Sequence, residues 1–376
     1  MKDLIWIEIS KKNLCHNIQT MRRLIGENVL LAPCLKANAY GHGLIEVAKL
    51  LVKYKADWFT LNSIREAEIL RKAGISLPLL VMNYVQKKDL HQILKLKLRI
   101  FLDDYQMAKE LSRLARKKGR VVNVHIKIDT GLARRGVVMS RAHNFINRVS
   151  RLKNIRIEGL ATHFATADEI AKKNYFYQQW QQFHKLLSLL KSKGWSIPVI
   201  HCANSAAAIL YPQSYLNLVR SGLAIYGYYD SPVIEKICQQ KGISFLPTLS
   251  FKTKVALIKE IPAHSYVSYG CTFRTERKTK IAILPVGYYD GLNRKLSNKG
   301  WVLIKGKKAK ILGRVCMNMV IVDVTHIKDV IPEEEVVIIG QQGKEKISLE
   351  DIANLTDTIN YEVCSRLRES ISRYYI

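Results

Sequence analysis

Short apolar runs alternate with amphipathic stretches over the first two-thirds of the chain. The apolar runs begin near Val29, Trp58, Pro78, Arg99, Val121, Ile157, Pro198 and Leu218. Between most of them apolar residues recur at helical spacing, over residues 44–54, 63–73, 87–94, 105–118 and 169–190. Eight strand candidates separated by helices within about 200 residues predict a parallel (β/α)8 barrel of TIM type. A doubly wound sheet is the alternative, but no Gly-x-Gly-x-x-Gly follows the first strand.

Near residue 245 the pattern changes. Strand candidates now follow one another directly, over 248–258, 265–269, 280–286, 301–305, 310–312, 315–324 and 335–339. Asn298-Lys299-Gly300 and Lys305-Gly306-Lys307 supply turns between them. One late helix is predicted over 348–355, where Ser348 and Asp351 have the spacing of a capped start. The expected organisation is an α/β barrel over 11–240 and a mostly β domain over 241–376. The alternating segment 1–10 is expected to pair with the second.

At 376 residues, 48% of them apolar, the chain has the make-up of an ordinary globular protein with room for two cores. No stretch reaches the roughly 18 apolar residues of a membrane span. Acidic residues stand where a signal peptide needs an unbroken apolar core, so a cytoplasmic location is expected. Seven cysteines are scattered without a Cys-x-x-Cys pair, which points to free thiols and away from a zinc site; no metal is expected. The formal charge of +29 raises the question of nucleic acid. Its lysines and arginines are spread along the chain, however, and no helix-turn-helix, zinc-finger or RNP pattern accompanies them. Neither nucleic acid nor membrane is an expected partner.

The apolar run Val29-Leu30-Leu31-Ala32-Pro33-Cys34 delivers a lone lysine in Leu35-Lys36-Ala37-Asn38-Ala39-Tyr40-Gly41-His42-Gly43. A strand-end lysine can extend to water along its apolar stem. A neutral amine in a dry cleft is instead a nucleophile toward aldehydes. Other strand ends are polar as well: Lys127-Ile128-Asp129-Thr130-Gly131, Thr162-His163-Phe164-Ala165, His201-Cys202-Ala203-Asn204-Ser205 and Arg220-Ser221-Gly222-Leu223. In a barrel of this kind those ends are where function sits. Ser205 and Ser221-Gly222-Leu223 suit an anion, and a phosphate site beside a Schiff-base lysine implies pyridoxal 5′-phosphate.

Eight motifs, in order and across both predicted domains, resemble alanine racemases of the pyridoxal-phosphate fold-type III class. They are the segment Leu35–Gly43, numbered 35–43; Lys127-Ile128-Asp129-Thr130-Gly131; Thr162-His163-Phe164-Ala165-Thr166-Ala167-Asp168; and His201-Cys202-Ala203-Asn204-Ser205. In the second domain they are Val267-Ser268-Tyr269-Gly270, Leu284-Pro285-Val286-Gly287-Tyr288, Gly313-Arg314-Val315-Cys316-Met317 and Ile359-Asn360-Tyr361-Glu362-Val363.

The resemblance implies interconversion of L- and D-alanine by a homodimer with shared sites, supplying D-alanine for peptidoglycan. It implies that Lys36 holds the cofactor and is one base, and that Tyr269 of the other subunit is the second. Tyr40, Asn204, Ser205, Gly222, Leu223 and Tyr361 are implied in cofactor binding, with Arg220 facing the pyridine nitrogen and His163 linking Arg220 to Tyr269. Arg134 is implied to contact cofactor and substrate carboxylate, and Met317 that carboxylate. Asp168, Tyr288, Arg294 and Arg314 are implied to line an entry channel. Lys127 matches a position often carbamylated in the family; the alternative is that it pairs with Asp129 or a solvent-facing group.

These roles make physical sense together. Lysine (~10.4) and tyrosine (~10) must both be poised by their surroundings to act as bases near neutral pH. Burial and nearby cations are expected to do so for Lys36, and the cations His163, Arg220 and Arg134 for Tyr269. An arginine at the ring nitrogen does not surrender its proton; a decarboxylase would need an acid there. Tyr361 leaves room for little more than a methyl group, so alanine is expected over larger amino acids. The chain departs from the family at Ala133 in Gly131-Leu132-Ala133-Arg134, where glycine is usual, at Asn318, where aspartate is common, and at Ser221, where a larger apolar residue is frequent. Ala133 carries strain if its φ is positive.

Overall fold

The computed structural model describes residues 3–376, and they divide into two compact units. One comprises Asn13–Ala39 and Leu44–Leu246; the other comprises the residues up to Lys12, Tyr40–Gly43 and Pro247–Ile376. Strand β1 (Ile5–Ile9) opens the chain and belongs to the second unit.

The first unit is the barrel. Its strands are β2 (Leu30–Leu31), β3 (Phe59–Leu61), β4 (Leu79–Val81), β5 (Arg99–Leu102) and β6 (Val122–Asp129). A two-residue β7 (Val137–Val138) pairs with the end of β6. Then follow β8 (Ile155–Ala161), β9 (Val199–His201) and β10 (Leu218–Val219). Strands β3-β4-β5-β6-β8-β9 form one parallel path, and β10 pairs with β2. Backbone bonds close both seams. Leu35 donates to Thr60 at 2.9 Å and Thr60 to Pro33 at 3.0 Å, joining β2 to β3; Asn217 donates to Ile200 and Arg220 to Ala203, each at 3.0 Å, joining β9 to β10. The eight-stranded barrel read from the hydrophobic pattern is therefore present.

Helices connect these strands, and their sequences explain where they start. Ser63 and Glu66 make a reciprocal capping box before Ile64–Lys72, and Asp104 accepts the Met107 N–H before Tyr105–Lys117. Met139–Ser150 also forms a helix, although its pattern did not stand out. Its buried stripe is the narrow set Ala142, Phe145, Ile146 and Val149, set among basic and polar residues. The barrel interior is only partly apolar. Ala32, Trp58, Val199 and Leu218 pack as one cluster, and Leu80, Phe101 and Ala161 as another. Between such layers lie His125, His201, Thr162 and Arg220, all buried.

In the second unit the strands are β11 (Leu249–Lys254), β12 (Leu257–Ile261), β13 (Thr279–Leu284), β14 (Trp301–Ile304), β15 (Lys307–Lys310), β16 (Val320–Asp323), β17 (Glu335–Gln342), β18 (Glu345–Ile347) and β19 (Ser372–Tyr375). One sheet runs β15-β14-β17-β11-β1-β19, with β18 on β17; a second runs β12-β13-β16. Strand β1 lies antiparallel to β11 and parallel to β19, with Ile7 and Ile9 fully buried. Met1 and Lys2, the start of the expected strand 1–10, lie outside the described residues.

Several expectations change here. The run 248–258 is two strands in different sheets, because the chain breaks pairing at Val255-Ala256. Residues 265–269 make no strand: one bridge, Tyr266 to Arg274, is followed by a tight turn at Tyr269–Cys271. Of 315–324, only Val320–Asp323 is strand. A second late helix, Asn360–Ser365, follows Leu349–Thr356.

Candidate active site

A cationic cluster gathers at the carboxyl end of the barrel. Arg220 follows β10 and is only 5% exposed. Its Nη1 meets His201 Nδ1 at 2.6 Å; its Nη2 donates to the carbonyls of Thr162 (3.0 Å) and Cys202 (3.1 Å) and meets His163 Nδ1 at 3.2 Å. A guanidinium has donors only, so both imidazole Nδ1 atoms are acceptors. His163 is therefore not one of the cations expected around Tyr269. Burial, then the charges of Arg220, Lys127, Arg134 and Lys36, hold its pKa well below the ordinary value.

Lys127 lies in β6, 5% exposed, with Nζ 5.8 Å from the centre of the Phe101 ring. Burial and the charges of Arg220 and Arg134 push its pKa far down. No ion pair reaches it among the described residues. Asp129 Oδ1 is instead occupied by the N–H groups of Gly131 (2.9 Å), Leu132 (3.0 Å) and Ala133 (3.2 Å). That carboxylate shapes the loop which presents Arg134. Ala133 has φ 55° and takes the strained alternative, which costs an alanine about 1 kcal/mol. Arg135, which sequence reasoning passed over, anchors the loop from the other side. It bonds both Asp103 carboxylate oxygens (2.7 and 3.1 Å) and the carbonyls of Met82 and Phe101. A charged pair at that spacing, 103 with 135, has no local signature.

Lys36 is exposed, which corrects the expectation that burial keeps it neutral. It opens the turn Lys36–Tyr40 that follows β2 and contributes to the positive field at His163. The four residues after it, Ala37 to Tyr40, all have φ of 53–55°, a left-handed turn built without glycine. Such geometry costs roughly 1–2 kcal/mol per residue. Within the barrel unit the Ala37 N–H donates to Glu66 (2.9 Å), and Asn38 Oδ1 accepts from Leu44 (2.8 Å), which offsets part of this cost.

The expected phosphate residues also meet. Ser205 Oγ accepts from the Gly222 N–H at 2.9 Å and the Ala224 N–H at 3.3 Å, and lies 3.2 Å from Ser221 Oγ. Leu223 opens the short turn Leu223–Tyr226. Asn204 caps the helix Ser205–Leu210 through the Ala207 N–H at 2.9 Å. Asp168 is half-buried, and burial raises its pKa.

The second unit carries the other expected residues. Tyr269 is 71% exposed, on a loop where Ser268, Gly270 and Cys271 all have positive φ. Ser268 Oγ donates to the Arg314 carbonyl at 2.6 Å. Gly270 has φ 70°, which favours glycine, and a Cβ there would have to displace the Arg314 guanidinium, whose Nη1 would lie 2.7 Å away. Met317 and Tyr288 are exposed; Tyr288 N–H donates to Cys316 O and Tyr289 N–H to Met317 O, each at 3.0 Å. Arg294 opens a short turn, Arg294–Leu296. Tyr40 and Tyr361 lie with ring centres 6.0 Å apart.

Chemically, the barrel cluster offers a primary amine, donor-only guanidiniums, a hydroxyl and backbone N–H groups. That set fits an anionic aldehyde with a ring nitrogen. Known proteins point the same way. The model of the alanine racemase N-terminal domain matches residues 9–230, and that of the C-terminal domain residues 248–375. A protein of Halothermothrix orenii named alanine racemase is 42% identical over 370 residues, spanning 98% of this chain and 96% of its own. A solved alanine racemase of Clostridium difficile 630 superposes with TM-score 0.93 at 33% identity, covering 100% of this chain and 96% of that one. One from Bacillus anthracis, solved with bound L-Ala-P, gives 0.93 at 31%, again over 100% and 96%. With two domain models matched in order and relatives aligned end to end, the chain belongs to the alanine racemase family.

Proposed function

We propose that this enzyme interconverts L- and D-alanine with pyridoxal 5′-phosphate, on which the family generally depends. The observation that carries the reading is Arg220: a buried guanidinium at the barrel mouth, held by His201, His163 and the Thr162 and Cys202 carbonyls through its two terminal nitrogens, and two residues before the Gly222 N–H that bonds Ser205. When bound, the cofactor supplies an aldehyde for amines and a ring that draws electrons from the substrate Cα. Ser205 and the N–H groups of Gly222 and Leu223, with Tyr40 and Tyr361, hold the phosphate. Arg220 offers the ring nitrogen a proton it does not surrender, which leaves the ring a weaker electron sink and disfavours transamination. Lys36 takes or returns the Cα proton on one face; Tyr269 of a second copy acts on the other. Arg134 and the Met317 N–H receive the substrate carboxylate. Asp168, Tyr288, Arg294 and Arg314 line the approach. The product serves peptidoglycan synthesis. Borohydride reduction with peptide mapping tests the cofactor link, and a coupled D-alanine assay tests turnover; colourless protein that binds no added cofactor and leaves L-alanine unchanged would sink the proposal.

Lys127 is proposed to carry a carbamate. Burial and the charges of Arg220 and Arg134 favour its neutral amine, the form that adds carbon dioxide and releases a proton. The anion then sits among cations and steadies Arg134 by charge-assisted bonds. Native mass measurement is expected to show one added carbon dioxide at neutral pH, lost on acidification. A plain ammonium at Lys127 in a high-resolution density map contradicts this.

Tyr361, beside Tyr40, is proposed to limit the substrate side chain. Serine is expected to turn over at least about tenfold less efficiently than alanine, since a pocket sized for a methyl discriminates by about that factor. Equal kcat/KM for the two amino acids removes the tyrosine from this role.

A further inference from the structure

The contacts of Arg220 continue through the barrel core. His201 accepts from Arg220 at Nδ1, so its own proton is on Nε2, which meets His125 Nδ1 at 2.8 Å. His125 is thereby an acceptor at Nδ1, and its Nε2–H donates to Glu158 Oε2 at 3.2 Å. Every direction in this column follows from the guanidinium having no acceptor. The carboxylate at its end is held from two further sides. Arg99 donates to Oε2 (2.9 Å) and Oε1 (3.2 Å), and Asn123 to Oε1 (2.8 Å). Arg99 opens β5 and Asn123 is second in β6, so the column runs from the amino half of the barrel to its mouth.

Two backbone features show that the column is built in. Val124 pairs with Ile157 but His125 pairs with Gly159, so Glu158 is an extra residue bulged out of the β6–β8 ladder. A bulge re-aims a side chain, here turning Glu158 onto the carboxylate-binding side. Gly159 is the second. A Cβ there would stand 2.3 Å from His125 Nδ1, so the imidazole occupies the space that any other residue would fill. Trp58 and Phe101 wall the two rings in.

We infer that Glu158 and His125 are positioning residues for Arg220, fixing both imidazole tautomers so that His201 always presents an acceptor to the guanidinium. Burial lowers Arg220 only to about 10, whereas Glu158, raised by burial but bonded by His125 and Arg99, falls to about 2. The proton stays at the arginine end, and what passes along the column is orientation. The link to catalysis rests on the reading of Arg220 proposed above.

Glu158→Gln tests it. A glutamine places an N–H group at one of two oxygen positions that both receive donors, so either the His125 N–H or the Arg99 and Asn123 N–H groups that clamp the side chain lose their acceptor, and the charge that holds the column is gone. With histidine labelled in 15N, the wild-type holoenzyme is expected to show His125 and His201 as neutral Nε2–H imidazoles. Glu158→Gln is expected to disturb that pattern and lower kcat about tenfold or more, with KM for alanine within about twofold. Glu158→Asp, which keeps the charge, is expected to recover part of the loss. If Glu158→Gln does not fold, His125→Phe keeps a ring, cuts the column and carries the same kcat expectation. Nδ1–H tautomers in the wild type, or a folded variant with unchanged tautomers and kcat, overturns the inference. Should the wild type prove inactive on alanine, the tautomer measurement still decides the column, and only the proposed function fails.

Discussion

Lys36→Ala is expected to reduce alanine racemisation by at least about 10⁴-fold, the scale of losing a covalent anchor and a base together. The amine follows β2, and its charge acts on His163 together with those of Arg220, Lys127 and Arg134. Alanine keeps the preceding strand and removes only the amine. The purified variant is also expected to lose the borohydride-fixed cofactor peptide. Residual activity within tenfold of wild type would mean that another group does this work.

The second large effect is at Tyr269. Removing its hydroxyl in Tyr269→Phe is expected to slow racemisation by about 10²–10⁴-fold, the range of one general base. On the proposed reading the two bases act on opposite faces, so the loss should be uneven. In deuterium oxide, the enantiomer whose Cα proton faces Lys36 should still exchange without inverting. Equal loss of exchange from both enantiomers contradicts the two-face arrangement. The two inactive variants also test the shared site. Mixed and reassembled, Lys36→Ala and Tyr269→Phe chains should regain about a quarter of wild-type activity, because half the dimers are mixed and each has one intact site. No recovery on mixing, with subunit exchange verified, places both bases in one chain.

The loop that carries Tyr269 explains why such a group can be aimed without being buried. Ser268, with φ 63° and ψ −174°, lies in a region that costs a non-glycine residue about 1–3 kcal/mol. Its hydroxyl bond to the Arg314 carbonyl and the Val267 N–H bond to Phe273 hold it there. By sequence the same segment reads as a strand, because Val267-Ser268-Tyr269 has strand-like residues, but among the described residues its ladder pairing goes no further than a single bridge.

Legibility differed by kind of feature. The barrel could be read because burial on both faces of parallel strands leaves continuous apolar runs, and the intervening helices keep a 3.6-residue stripe. The strand-end residues Lys36, His163, Ser205 and Arg220 could be read because polar groups interrupt those runs at one end. The left-handed turn of Ala37 to Tyr40 could not. Alanine and tyrosine have no preference for that geometry, and tertiary contacts such as the bonds to Glu66 and Leu44 help to hold it. Nor could the exposure of Lys36 or the neutrality of His163, since both depend on which groups the fold brings close.

Sequence alone determined the alternation of strands and helices and the order of polar residues at the barrel mouth, because each is a local pattern of side-chain type. Tertiary structure alone decided the tautomers of His125 and His201, the bulge at Glu158, the slot at Gly159 and the occupation of Asp129 by its own loop. Those depend on strand register and on which donor meets which acceptor across 30 to 80 residues of chain, and hydrogen-bond direction in a buried site is a property of the whole set of partners rather than of any one residue.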